Sequence, residues 1–230
     1  MNLLLLSLNA GALPEFLLRH TGQRPSGLRL GYIDDATRLV ADAPYNAFEW
    51  NQLTELGFRL TRMSVRRYAD SRDFDSDLDS VDAVYLAGGH TFALLGSLRS
   101  NGTGEVLTRR VRSGLPYVGL SAGSVVAGPT IEPVAPLDDP NETPEVTDYT
   151  GLGLVDTVVI PHADGALPPY PRSLIDEVVE TYGRSVPADP RQRRPGSAGR
   201  RRCGEPHPVS NHITAAKVFP PPRSPGRQWV

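Results

Sequence analysis

The chain has 230 residues, 39% of them hydrophobic and 22% charged, with 22 each of Gly and Pro, so it has room for one domain with a sizeable core. Its formal net charge of −2 conceals two segments: residues 1–183 hold 14 Lys and Arg against 24 Asp and Glu, whereas residues 184–230 hold ten basic residues against two acids. So acidic a body has no global attraction for nucleic acid, and a single cysteine, Cys203, excludes an internal disulfide framework and multi-cysteine metal sites, leaving a reducing, cytoplasmic compartment as the expectation.

The apolar run Leu3 to Leu6 is too short for a signal-peptide core, lacks a basic flank and stops near Asn9, so it predicts a first buried strand. A helix follows, with Leu13, Phe16 and Leu17 on one face. Leu28 to Ile33 predicts a second strand. Tyr45 to Phe58 predicts a helix with Phe48, Leu53 and Leu56 at helical spacing, and Arg59 to Val65 a third strand. Asp70 to Asp79, with five Asp in ten residues, is expected to be a solvated loop. Val81 to Ala87 is β-favouring and breaks at Gly88-Gly89, after which Thr91 to Leu98 and Glu105 to Arg112 read as helices. Leu115 to Leu120 and Val155 to Ile160 complete the strands, a short helix is expected over 122–127, and Leu174 to Tyr182 is amphipathic. Alternating strands and helices give an α/β fold, a mostly parallel sheet with helices on both faces. From Arg184 onward the apolar periodicity collapses, and this Arg/Pro-rich tail is expected to be disordered or poorly packed beside a 1–183 catalytic domain.

Gly119-Leu120-Ser121-Ala122-Gly123 fits the G-x-S-x-G elbow, in which a strand turns sharply into a helix and presents a serine at the sheet's carboxyl edge. Glycines flanking a strained serine let neighbouring main chain approach without Cβ collisions. Ala87-Gly88-Gly89-His90-Thr91 also ends a strand and opens a helix, so two sets of amide donors meet at one edge, as an oxyanion hole requires. A serine hydroxyl needs an imidazole within reach. Of the five histidines, His207 and His212 lie in the unpatterned tail and His20 ends an early helix, whereas His162 follows a strand to that same edge.

These segments, in the order Leu3-Leu4-Leu5-Leu6-Ser7, Ala87 to Phe92, Gly119 to Ser124 with Pro129-Thr130-Ile131, and Ile160-Pro161-His162, resemble the S51 peptidases, the dipeptidase E-like and cyanophycinase-like serine peptidases. The resemblance implies a flavodoxin-like, three-layer fold similar to the class I glutamine amidotransferases, with serine replacing their cysteine. It also implies Ser121 as nucleophile, His162 as general base, the Gly89 and Ala122 amides as oxyanion hole, and no cofactor or metal. The third triad member is expected in the polar loop between them, where Asp139 is the first choice, Asp138 the second and Glu132 an outside candidate. His90 stands where the best-known members carry asparagine, and either touches substrate or caps the following helix. The implied substrates are short peptides with an acidic first residue. The Gly-Glu-Thr-Arg-type segment that reads such a residue is absent, and Arg172 is the one Arg or Lys between His162 and Arg184. No membrane partner and no specific nucleic acid is expected. Three other classes compete: a non-catalytic amidotransferase-like binding domain; an α/β-hydrolase esterase, which usually has a longer chain between nucleophile and histidine; and a nucleic-acid-binding module resting on the basic tail alone, for which charge predicts only weak, salt-sensitive, sequence-independent binding.

Overall fold

The structure is a computed structural model that describes residues 1–165, 167–183, 211–214 and 217–219. Strands β1 (Leu3–Leu6), β2 (Arg29–Ile33), β3 (Arg59–Arg62), β4 (Ala83–Leu86) and β5 (Tyr117–Leu120) alternate with helices α1 (Leu13–Thr21), α2 (Pro44–Glu55), α3 (Ser71–Asp77), α4 (Thr91–Ser100) and α5 (Thr103–Arg112). Then come α6 (Ala122–Val125), β6 (Val158–Ile160), α7 (Arg172–Gly183), β7 (Asn211–Thr214) and β8 (Lys217–Phe219). The main sheet runs β3-β2-β4-β5-β1-β7, and every pairing in it is parallel.

Because side chains alternate across a strand, β1 feeds two cores. Leu3 and Leu5 join Val84, Leu86 and Tyr117 under α4, α5 and α7, while Leu4 and Leu6 join Leu30, Tyr32, Tyr85 and Val118 under α1 and α2. The alternating elements predict this parallel sheet with helices on both faces, and the S51 resemblance its three-layer, flavodoxin-like form. A parallel sheet also collects the carboxyl ends of its strands at one edge, where Ser7, Gly88 and Ser121 all emerge.

Four expectations need correction. Phe48 lies on the solvent side of α2, 64% exposed, and the buried face is carried by Glu49 and Leu53, an i, i+4 pair. The Asp-rich stretch is not a loop. Asp70 caps α3 by accepting the Arg72 N–H at 2.7 Å, Phe74 and Leu78 bury their side chains, and Asp75 and Asp79 pair with Arg109 and Arg110 of α5. β6 stands outside the main sheet, pairing antiparallel with β8. Finally, the tail is not wholly unpacked: Asn211–Thr214 adds to the open edge of β1 and Lys217–Phe219 to β6. A four-residue ladder needs only a short β-favouring run, which the surrounding Arg and Pro masked at the level of composition. The rest of the 184–230 expectation, with Cys203, lies outside the described residues. Among the described residues no helix is long and apolar enough to cross a membrane, and no cluster of three His, Cys, Asp or Glu is placed to hold a metal ion.

Ending the chain at Gly183 removes β7 and β8 and leaves β1 as the exposed edge strand of the sheet. Thermal unfolding should show a lower Tm, with a loss on the order of 2–4 kcal/mol and new concentration-dependent association. An unchanged Tm in a monomeric truncation would contradict the pairing.

Candidate active site

Ser121 follows β5 directly and holds φ 47° and ψ −108°, a conformation that L-residues avoid. Neighbouring bonds enforce it. Its N–H donates to the Leu6 carbonyl at 2.9 Å, and the buried Ser124 hydroxyl sits 2.7 Å from both the Leu6 and the Gly119 carbonyls. Tyr117 ties the far side by donating to the Gly123 carbonyl at 2.6 Å. The elbow glycines are required by space: a Cβ on Gly119 would overlap the Gly123 carbonyl, and one on Gly123 would overlap the Leu86 carbonyl of β4.

His162 lies two residues beyond β6, is 6% exposed, and also has a positive φ, 56°. Among the described residues, Ser121 and His162 are the two non-glycine residues with positive φ. Their side chains meet: Ser121 Oγ and His162 Nε2 are 2.8 Å apart. Ser7, the residue after β1, accepts the His162 N–H on its hydroxyl at 2.8 Å. Tyr170 stacks on the imidazole with ring centroids 5.1 Å apart and planes 9° from parallel. Burial holds the imidazole down from its ordinary 6.5 to about 4, against the opposing pull of the Asp164 carboxylate, so the ring is neutral at neutral pH.

The Gly88-Gly89 turn packs beside this pair, since a Cβ placed on Gly88 would lie 3.6 Å from the Ser121 Cβ. Gly89 has φ 134° and abuts the Ala36 carbonyl, a contact that leaves no room for a side chain. Among the described residues no hydrogen bond occupies the Gly89 or Ala122 N–H. Behind the turn, Glu49 is buried, with Oε2 3.4 Å from the Gly88 N–H and Oε1 3.4 Å from the Tyr32 hydroxyl. Burial raises its carboxyl from the ordinary 4.5 to about 7.

The loop carboxylates do not reach His162. Asp138 accepts the Thr91 N–H at 2.8 Å, and Asp139 caps its own turn by accepting the Asn141 N–H at 2.9 Å. Asp138 thus serves the start of α4, where unpaired helix amides attract carboxylates, and Asp139 serves the turn Pro140–Glu142. Glu132 opens a short turn at Glu132–Val134 and has no hydrogen bond to His162. The imidazole Nδ1 is buried and finds no partner among the described residues. His90 is a helix cap here: its Nδ1 accepts the Ala93 N–H at 3.3 Å, and its Nε2 is 3.1 Å from Glu142 and 3.2 Å from the Asp139 carbonyl. Arg172 begins α7 and pairs with Asp176 at 3.0 Å. Sequence reasoning missed Ser7, Glu49 and Tyr170. Ser7 closes the first apolar run, and Glu49 stands four residues before Leu53, so its burial was readable from spacing; nothing local marks Tyr170.

A carboxyl whose folded pKa exceeds its unfolded value costs stability as pH rises from the lower value to the higher. Glu49→Gln should therefore equal wild type at about pH 3.5, below the unfolded carboxyl pKa, and exceed it at pH 8 by up to ~3 kcal/mol in denaturant unfolding. Equal stability of the two proteins at both pH values would contradict a buried, reluctant Glu49.

Comparison with known proteins follows the same lines. A 36% identical stretch of 168 residues, 70% of this chain and 64% of the relative, aligns with a peptidase E of Streptomyces coelicolor. An uncharacterized peptidase of Pasteurella multocida is 32% identical over 109 residues, 47% of this chain and 51% of the relative. The chain thus spans about half to two thirds of the length of the curated relatives it matches. A crystal structure of a Listeria monocytogenes protein assigned to peptidase E superposes with TM-score 0.68 at 23% identity, covering 78% of this chain and 86% of that one, which shows a shared fold. The sequence model of Peptidase family S51 matches residues 8–188, and the chain belongs to that family.

Proposed function

We propose that the protein is a serine peptidase that hydrolyses short peptides, with Ser121 as nucleophile and His162 as general base. The observation that carries this reading is the 2.8 Å contact between Ser121 Oγ and His162 Nε2, made by two residues that both hold strained backbone at one sheet edge. The serine oxygen attacks the scissile carbonyl while Nε2 takes its proton. The resulting oxyanion accepts hydrogen bonds from the Gly89 and Ala122 N–H groups. Imidazolium then protonates the leaving amine as the C–N bond breaks, leaving an ester on Ser121. Water, deprotonated by the neutral imidazole, cleaves the ester and restores the hydroxyl. Every step is proton transfer and nucleophilic attack by groups already in place, and Asp164 is the carboxylate whose field favours the imidazolium.

Membership of the S51 family favours this reading over an α/β-hydrolase esterase, and the free hydroxyl–imidazole contact favours it over a binding domain. In this reading Arg172 is the cation for an acidic first side chain. Its bond to Asp176 is an exposed i, i+4 pair worth roughly 0.3–0.5 kcal/mol, which a bidentate substrate carboxylate displaces.

Assayed on Asp-Ala and Ala-Ala, Ser121→Ala should be inactive and His162→Ala should lose at least about 10³-fold in kcat/KM. The general base works only when unprotonated, so the acid limb of wild-type kcat/KM should have its half-point nearer pH 4 than pH 6.5. Activity surviving in Ser121→Ala would reject the nucleophile. Arg172→Ala should raise KM for Asp-Ala roughly tenfold or more without touching Ala-Ala; equal effects on both substrates would remove Arg172 from recognition.

A further inference from the structure

We propose that Tyr170 and Ser7 are the positioning residues of His162, the phenol ring fixing the plane of the imidazole and the serine hydroxyl fixing its main chain. This rests on the reading of His162 as general base. A base must be held in one orientation through a cycle in which it gains and loses a proton, a task that usually falls to a carboxylate on Nδ1. Here Nδ1 is buried without a partner among the described residues, and the bond to Ser121 fixes one ring atom only. Rotation of the ring about the Cβ–Cγ bond would break that bond.

The stack opposes such rotation. Near-parallel planes with centroids 5.1 Å apart form an offset face contact, which a turned imidazole would lose. Tyr170 is itself anchored, its N–H donating to the Leu167 carbonyl at 2.9 Å just before α7 begins. The aromatic face also suits both charge states of the partner, because the ring quadrupole attracts an imidazolium formed against it. The hydroxyl of Tyr170 stays protonated, its pKa raised to about 12 by burial and by the charges of Asp138 and Tyr45. Ser7 handles the other degree of freedom. Positive φ at a β-carbon-bearing residue is costly and needs a fixed acceptor to persist, and the 2.8 Å bond from the His162 N–H to Ser7 Oγ supplies it.

The test compares wild type with Tyr170→Phe, Tyr170→Leu and Ser7→Ala by two readouts: steady-state kinetics on dipeptides, and NMR titration of the His162 ring in histidine-labelled protein. Phe keeps the aromatic face and Leu keeps only apolar bulk. Tyr170→Leu and Ser7→Ala should lower kcat roughly ten- to hundredfold with KM nearly unchanged, and Tyr170→Phe should restore activity to within about threefold. In Tyr170→Leu the ring-current shift of the His162 protons should disappear and the titration midpoint should fall below the wild-type value, because Leu keeps the burial and removes the aromatic face that favours imidazolium, with neither change in Tyr170→Phe. Wild-type kcat in Tyr170→Leu, with the ring-current shift lost, would overturn the proposal. Should wild type cleave no peptide while the ring shift and titration still follow the aromatic ring, the clamp stands and the peptidase reading falls.

Discussion

Both halves of the candidate site hang from the end of one strand. The Leu6 carbonyl of β1 receives the N–H of Ser121 and the hydroxyl of Ser124, and the next residue, Ser7, receives the N–H of His162. Two L-residues with positive φ, 41 positions apart in sequence, are thereby referred to the same fixed point at the carboxyl end of β1, between β5 and β7. Strained backbone costs on the order of 1–3 kcal/mol per residue and survives only where its surroundings over-determine it. Here the fixing elements are buried main-chain acceptors, elbow glycines that admit neighbouring carbonyls, and a strand enclosed by β5 and β7.

Burial then sets the electrostatics. The Ser121–His162 contact stands where little water competes, which keeps the imidazole neutral and able to accept a proton. On the other side of the Gly88-Gly89 turn the same effect works on Glu49, whose carboxyl ionises reluctantly between Tyr32 and the turn amide. Acidic groups elsewhere at this edge are engaged in local structure: Asp138 holds the start of α4, Asp139 its own turn, and Glu142 the capping His90. Their neighbourhood to the nucleophile in sequence reflects a polar loop with turn and helix amides to satisfy, and their side chains are engaged there rather than at His162.

The alternating elements and the elbow were legible because each depends on short-range pattern. Apolar runs of four or five residues predict buried parallel strands, and G-x-S-x-G after such a run predicts a tight turn whose glycines prove sterically necessary. His162 was found by topology, since a histidine just past a strand arrives at the sheet edge. What stayed hidden depends on partners distant in sequence. Asp70–Asp79 reads as solvated until Arg109 and Arg110 are seen opposite it, after which the i, i+4 pair Phe74 and Leu78 explains the helix. Tyr170 carries no signal at all without the fold, and β7 is a short run inside a segment whose composition argues against structure.

The central claim is that the hydroxyl at the elbow is chemically activated by the imidazole it touches. Reaction with a fluorophosphonate, followed by peptide mass spectrometry, tests this most directly because the reagent reports nucleophilicity without requiring a chosen substrate. A single adduct on the peptide containing Ser121, formed in wild type and lost or greatly slowed in His162→Ala, is the predicted result. An adduct on another serine, or none on folded wild-type protein, would contradict the account.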